Sequence, residues 1–105
     1  MNNLSSSDRS FLRSKAHHLE PVVLIGKNGI SDGTVEVVNK ALEARELIKI
    51  KFREFKDNKQ SISDEIAASA NCQVVGIIGH TVILFRQNPD PEKQNIRFPI
   101  ITKKY

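Results

Sequence analysis

Four residues about a quarter of the way along the chain carry the clearest chemistry: Gly26-Lys27-Asn28-Gly29. Two positions without a Cβ, three apart, let a backbone come close to a ligand. Lys27 supplies a cation. Asn28 supplies an amide that can donate to a phosphate or to a base edge. Ser31 then opens a helical pattern, and a helix start adds unpaired N–H groups and partial positive charge. Turn and helix end together form a seat for a phosphate. A tight strand-to-helix turn asks for the same glycines, so the motif in isolation also has a purely structural reading.

Gly-x-x-Gly loops clamp the backbone of a few nucleotides in KH-type modules, with backbone N–H groups and a lysine on the phosphates. Other cations could extend such a surface. Lys49, Lys51 and Arg53 alternate along one stretch and share a face, although a solvated face is the commoner meaning of such a row. Arg13, Lys15 and Arg86 are further candidates, as is Arg9, but a solvated outer face is the favoured reading of the first helix. His17, His18 and His80 have no cysteine or acid at ligand spacing, and the first two point to different helix faces, so no metal is expected. No phosphate-binding Walker loop, nucleophile elbow or His-Glu-x-x-His stretch occurs. Gly26, Gly29 and Gly33 are not spaced as a dinucleotide fingerprint. Asp57, Asp64 and Glu65 fall where capping explains them.

The elements that must position these residues follow from periodicity. Ser5 to Asp8 offer caps for a helix over 6–18, with Leu12, Ala16 and Leu19 on its apolar stripe and Phe11 widening it. Glu20-Pro21 stops it. Val22 to Ile25 is apolar on both faces and reads as a buried strand. Ser31 caps a helix over 32–45, with Ile30 and Val35 placed as a staple and Val35, Val38 and Leu42 buried. In Leu47 to Arg53, Ile48, Ile50 and Phe52 face the helices. Strand, helix, strand implies a parallel pair. Asp57-Asn58 caps a helix over 58–70 that Asn71 closes in a left-handed conformation. Gln73 to Ile78 and Thr81 to Arg86 form a hairpin around Gly79-His80, with glycine placed for a type II′ turn. The expected fold is α/β (an α+β two-layer arrangement): α-β-α-β-α-β-β with a four-stranded mixed sheet and helices mainly on one face. Both faces of the last two strands are apolar, so the first helix or the tail must cover part of the second face.

Residues 1–87 read as one domain. Residues 88–105 read as a tail rich in proline and polar residues, with Ile96, Phe98 and Ile100 alternating so that its end could dock on the body; Pro99 argues for an edge at most. The chain has 105 residues, a formal net charge of +4 and a pI of about 9.4, a balance that favours an anionic partner. A lone cysteine, Cys72, excludes an internal disulfide and reads as a small buried hydrophobe. No stretch approaches a membrane span and no signal pattern opens the chain, so a cytoplasmic location is expected. Aromatics make up 6% of the chain, too few for extensive base stacking on the sheet, so binding should be mostly to backbone and shape.

Several stretches, in order, resemble the CRM domain family, specifically its single-domain bacterial YhbY type. They are Ala16-His17 with Leu19 and Pro21-Val22, then Gly26 to Gly29, Glu46 to Ile50, Val74-Val75 with Ile78-Gly79, and Val82 to Arg86. The likeness covers about residues 8–87. Asn71-Cys72, Gly76 and Phe85 stand where the family often has Gly-Ala, glutamine and tyrosine. The resemblance implies a fold similar to the C-terminal domain of bacterial translation initiation factor three. It implies RNA binding in assembly of the large ribosomal subunit, and a place for His17 near RNA. The expectation is a monomeric, non-enzymatic RNA-binding protein with no cofactor, metal, small-molecule substrate or membrane partner. Its contact residues would be Gly26, Lys27, Asn28, Gly29, Lys49, Lys51, Arg53, Arg13, Lys15, His17 and Arg86. The alternative is a protein-interaction domain whose basic face meets an acidic partner, with the tail from Ile96 to Ile101 as anchor. A small enzyme acting on a phosphate ligand is disfavoured, because no base or nucleophile converges on the loop.

Overall fold

Ser5 is extended and its hydroxyl accepts the Asp8 amide at 3.0 Å, while the Asp8 carboxylate accepts the Ser5 amide at 3.2 Å. This reciprocal pair takes up two amide groups and starts helix α1, Ser6–Ala16. The computed structural model describes residues 4–96. After α1 come β1 (Pro21–Ile25), α2 (Asp32–Arg45), β2 (Leu47–Phe52), α3 (Lys59–Ala70), β3 (Gln73–Ile78) and β4 (Thr81–Phe85). Short 3-10 turns lie at Lys56–Asn58 and Pro91–Lys93. The strand order is β1-β2-β4-β3. β1 runs parallel to β2, and β4 is antiparallel to both β2 and β3. This is the expected element order and mixed sheet.

α2 and α3 cover one face of that sheet. Ile48, Ile50 and Phe52 of β2 are buried there with Ile25, Val38, Leu42, Ile66, Val82 and Leu84. Each fully buried aliphatic side chain contributes about 1.5–3 kcal/mol. Cys72 belongs to this cluster, and burial, partly opposed by Arg86, pushes its thiol pKa up to about 11. α1 packs on the opposite face, as a partial third layer. Leu12 and Ala16 meet Leu47, Val75, Ile83 and Phe85, with Leu4, Phe11, Leu19 and Ile96 around them. Both the first helix and the tail therefore help to cover the second face. β3 is bulged between Val74 and Gly76, and Arg9 donates from Nη1 to the Val74 and Val75 carbonyls at 2.7 and 3.0 Å. Arg9 thus ties α1 to β3 instead of facing solvent.

Two expectations need correction. β1 is an edge strand, not a buried one: only Ile25 is buried and Leu24 is 49% exposed. Apolar residues on both faces also suit an edge strand that pairs with a single neighbour and is covered mainly on one side. Asn58 stands at the N-cap of α3, but its side chain makes no capping bond, because residues 56–58 form a 3-10 turn preceded by Phe55 in the left-handed region (φ 59°). Asn71 does close α3 with φ 54°, and Gly79 opens the β3–β4 turn at φ 61°. His80 has no positive φ, which selects the type II′ turn over type I′.

Glu46 sits in the C-cap position of α2 with φ 67° and no exposed surface. Its Oε1 accepts the Asn95 and Ile96 amides at 2.6 and 2.8 Å, and its Oε2 accepts the Asn88 amide at 2.6 Å. These bonds fasten residues 88–96 along the body. A buried carboxylate is tolerated because each oxygen is occupied by donors. Phe98, Pro99 and Ile100 lie outside the described residues. Among the described residues no helix is long and apolar enough to cross a membrane.

Candidate nucleic-acid interface

Gly26 to Gly29 form one turn, closed by the Gly29 amide donating to the Gly26 carbonyl at 3.0 Å. Lys27 and Asn28 occupy its exposed tip, both with negative φ, which makes the turn type I rather than type II. Gly29 then adopts φ 63°, a conformation that side chains resist. The loop is neither packed inside the molecule nor bent around a carboxylate. α2 starts directly after it, with Ser31 Oγ accepting the Thr34 amide at 3.2 Å and Thr34 Oγ1 accepting the Ser31 amide at 3.2 Å. Asp32 already sits in the first turn of α2, so the helix end alone is a poorer anion seat than its position suggests. The attraction must come mainly from side-chain cations.

Those cations are brought in by topology. Since β1 and β2 run parallel, the segments that follow them emerge at the same end of the sheet. Because β4 is antiparallel to β2, the β3–β4 turn is there too. The Ile25 carbonyl accepts the Arg53 and Glu54 amides at 2.9 and 3.1 Å, and the His80 carbonyl accepts the Phe52 amide at 2.8 Å. Lys59 Nζ donates to the Gly79 carbonyl and stands 3.3 Å from His80 Nδ1. Desolvation, then the ammonium groups of Lys59, Lys56 and Lys51, hold the His80 imidazole below its ordinary pKa. Lys27, Lys51, Arg53, Lys56 and Lys59 thus share this end with Asp32, Glu54 and Asp57. Cations outnumber carboxylates, and none of these eight is ion-paired among the described residues.

The sequence-predicted residues divide into three groups. Gly26, Lys27, Asn28, Gly29, Lys51 and Arg53 meet at the loop end. Arg13, His17 and Lys49 line a cleft of about 170 Å³ between α1 and the second sheet face, with Ile78, Thr81 and Ile83. Lys49 donates to the His17 carbonyl at 3.3 Å, which secures the C-terminal end of α1. Lys49 and Lys51 share one face of β2, so a row of two cations leads from the cleft toward the loop end. The remaining two lie apart. Lys15 is exposed on α1, its ammonium 5.5 Å from the Phe11 ring centre. Arg86 lies at the opposite end of the sheet, donating to Asn39 Oδ1 at 2.6 Å, the Ala70 carbonyl at 2.7 Å and the Asn39 carbonyl at 3.0 Å. Its guanidinium joins α2 and α3 to the end of β4, a structural task performed away from the loop end. More open clefts of about 410 and 550 Å³ at that end have no excess of cations: Arg86 faces Glu43 in the first, and Lys40 and Lys93 stand with Glu43 and Asp90 in the second.

Lys56, Lys59 and His80 belong to the loop end but were not read from the sequence as candidates. The signal was available: connections after adjacent parallel strands must share an end, whatever their composition. Among the described residues no group of histidines, cysteines and acids could hold a metal ion.

The CRS1 / YhbY (CRM) domain model matches residues 4–86. The chain is 35% identical over 97 residues to a Bacillus subtilis protein named "Probable RNA-binding protein YqeI", covering 91% of this chain and 99% of that one. It is 36% identical over 95 residues to a Haemophilus influenzae protein named "RNA-binding protein", covering 90% and 96%. The solution structure of the hypothetical protein SAV1595 from Staphylococcus aureus matches with a TM-score of 0.74 at 26% identity, covering 90% of this chain and all of that one.

Proposed function

Because the chain belongs to the CRS1/YhbY (CRM) domain family, we propose that it binds RNA through the loop end, acting as a monomer and without catalysis. The observation that carries this reading is the meeting of the exposed Gly26–Gly29 turn with Lys51, Arg53, Lys56 and Lys59 from the stretch that runs from β2 into α3. An exposed turn whose tip carries lysine and an amide, backed by further cations, suits the sugar-phosphate chain. The RNA-binding names of the Bacillus and Haemophilus relatives support the same partner. The family resemblance extends the reading to ribosomal RNA of an assembling large subunit. The Arg13–His17–Lys49 cleft would then prolong the track along the sheet. The alternative, a tail-anchored protein interaction, loses support from Ile96, which is already packed against the body.

Crosslinking the protein to RNA in growing cells and sedimenting the adducts tests this directly. Adducts in fractions holding large-subunit precursors are expected. Adducts confined to free or messenger RNA would sink the ribosomal part, and an absence of adducts would sink RNA binding itself.

A further inference from the structure

Phe55 occupies an unusual place. Its backbone is left-handed, which a bulky side chain adopts only under constraint, and 42% of its surface is exposed. Its ring lies over the second glycine of the turn: a Cβ built on Gly29 would stand 3.5 Å from Phe55 Cε2 and 3.7 Å from Cζ. Gly29 is bare because of its positive φ; a Cβ there would only come into ordinary contact with the ring, which lies close beside it. Glu54 and Lys56 flank Phe55 in the chain, with Arg53 one residue before Glu54, and Lys27 stands two residues before Gly29. A large hydrophobe is thus displayed among cations, on a loop that suits a phosphate chain, away from either core.

We infer that Phe55 is a stacking platform for an unpaired base whose flanking phosphates lie on the Gly26–Gly29 turn. The inference rests on the RNA reading above and narrows it to a substrate with a single-stranded nucleotide at this point. A paired base in a duplex offers no free face, whereas an unpaired one can stack on an aromatic ring. Composition argued against stacking across the sheet; one aromatic placed beside the loop meets the need without a sheet platform.

The test exploits the absence of tryptophan from the chain. In full-length protein, Phe55→Trp introduces a single fluorophore at the site. The probes are an oligoadenylate and a perfectly paired RNA duplex with the same number of phosphates. Oligoadenylate is expected to quench the Phe55→Trp emission while the duplex does not. Phe55→Ala should weaken oligoadenylate binding by about tenfold or more and leave duplex binding unchanged, with a thermal melt confirming the fold. Bound oligoadenylate that leaves the emission unchanged would overturn the inference, as would an equal loss of both probes in Phe55→Ala. Lys27→Glu separates the two levels. If it weakens oligoadenylate binding while Phe55→Trp stays silent, only the stacking inference falls; if it weakens neither probe, the loop reading falls too.

Discussion

Replacing Lys27 with glutamate probes the loop end most directly. Four exposed cations stand there: Lys27, Lys51, Arg53 and Lys56. Lys59 is partly occupied by the Gly79 carbonyl and His80. Each neutralised phosphate adds about −0.7 (single strand) to −0.9 (duplex) to the slope of log affinity against log salt. Four contacts give a slope of about −2.8 to −3.6, so affinity should fall about 50- to 150-fold between roughly 50 and 200 mM salt. At about 0.1 M salt one such contact is worth about five- to eightfold. Lys27→Glu removes one contact and adds a repulsive charge, so the loss should be at least that, with the slope shallower by nearly one. Stability should be untouched, because Lys27 is exposed at a turn tip with ordinary backbone angles. Such surface changes stay within about 0.5 kcal/mol, or a melting shift under about 4 °C in a domain of this size. Fluorescence anisotropy of labelled RNA over a salt series measures affinity and slope together. Lys40→Glu on the outer face of α2, where Lys40 pairs with Glu36 at 3.5 Å, makes the same change in charge far from the loop. The reasoning is refuted if Lys27→Glu keeps the wild-type affinity and slope, or if Lys40→Glu costs as much.

Three further outcomes are expected. Glu46→Gln keeps the volume but turns an amide donor toward amides that need an acceptor, so urea unfolding should show a loss of about 2–3 kcal/mol. Amide exchange at Asn88, Asn95 and Ile96 should rise with it, and unchanged protection there would refute the anchoring role. The His80 imidazole should titrate below its ordinary pKa in the free protein, since desolvation and then the nearby ammonium groups oppose its charge. RNA phosphates at the loop end favour that charge, so bound His80 should titrate higher and affinity should rise as pH falls between the two values. NMR titration with and without RNA reads this, and an identical His80 titration would place the RNA elsewhere. Cys72 has a folded pKa raised to about 11 from the usual 9.0. The unfolded chain releases the proton first, so stability from this group holds below about pH 9 and is lost as pH rises toward 11. Thiol labelling near neutrality should accordingly be slow until the protein is unfolded, and prompt labelling of native protein would contradict the burial.

What the sequence determined by itself was local. The alternation of Leu47 to Arg53 set which side of β2 is buried, and helical spacing gave α1, α2 and α3 within a few residues. Ser31 and Asn71 marked helix ends through side-chain and backbone chemistry legible at each position. The Gly26–Gly29 turn was readable for the same reason. Only the tertiary structure decided which segments meet. Arg9 reaches carbonyls more than sixty residues away. Glu46 holds amides 42 to 50 residues downstream. Arg86 spans 47 residues to Asn39, and its charge alone could not distinguish that brace from a phosphate ligand. Phe55 became conspicuous only once its ring was found over Gly29. Periodicity records how neighbours two to four residues apart share a face. It carries no information on strand order, and strand order is what gathers the lysines, the turn and the ring at one end of this sheet.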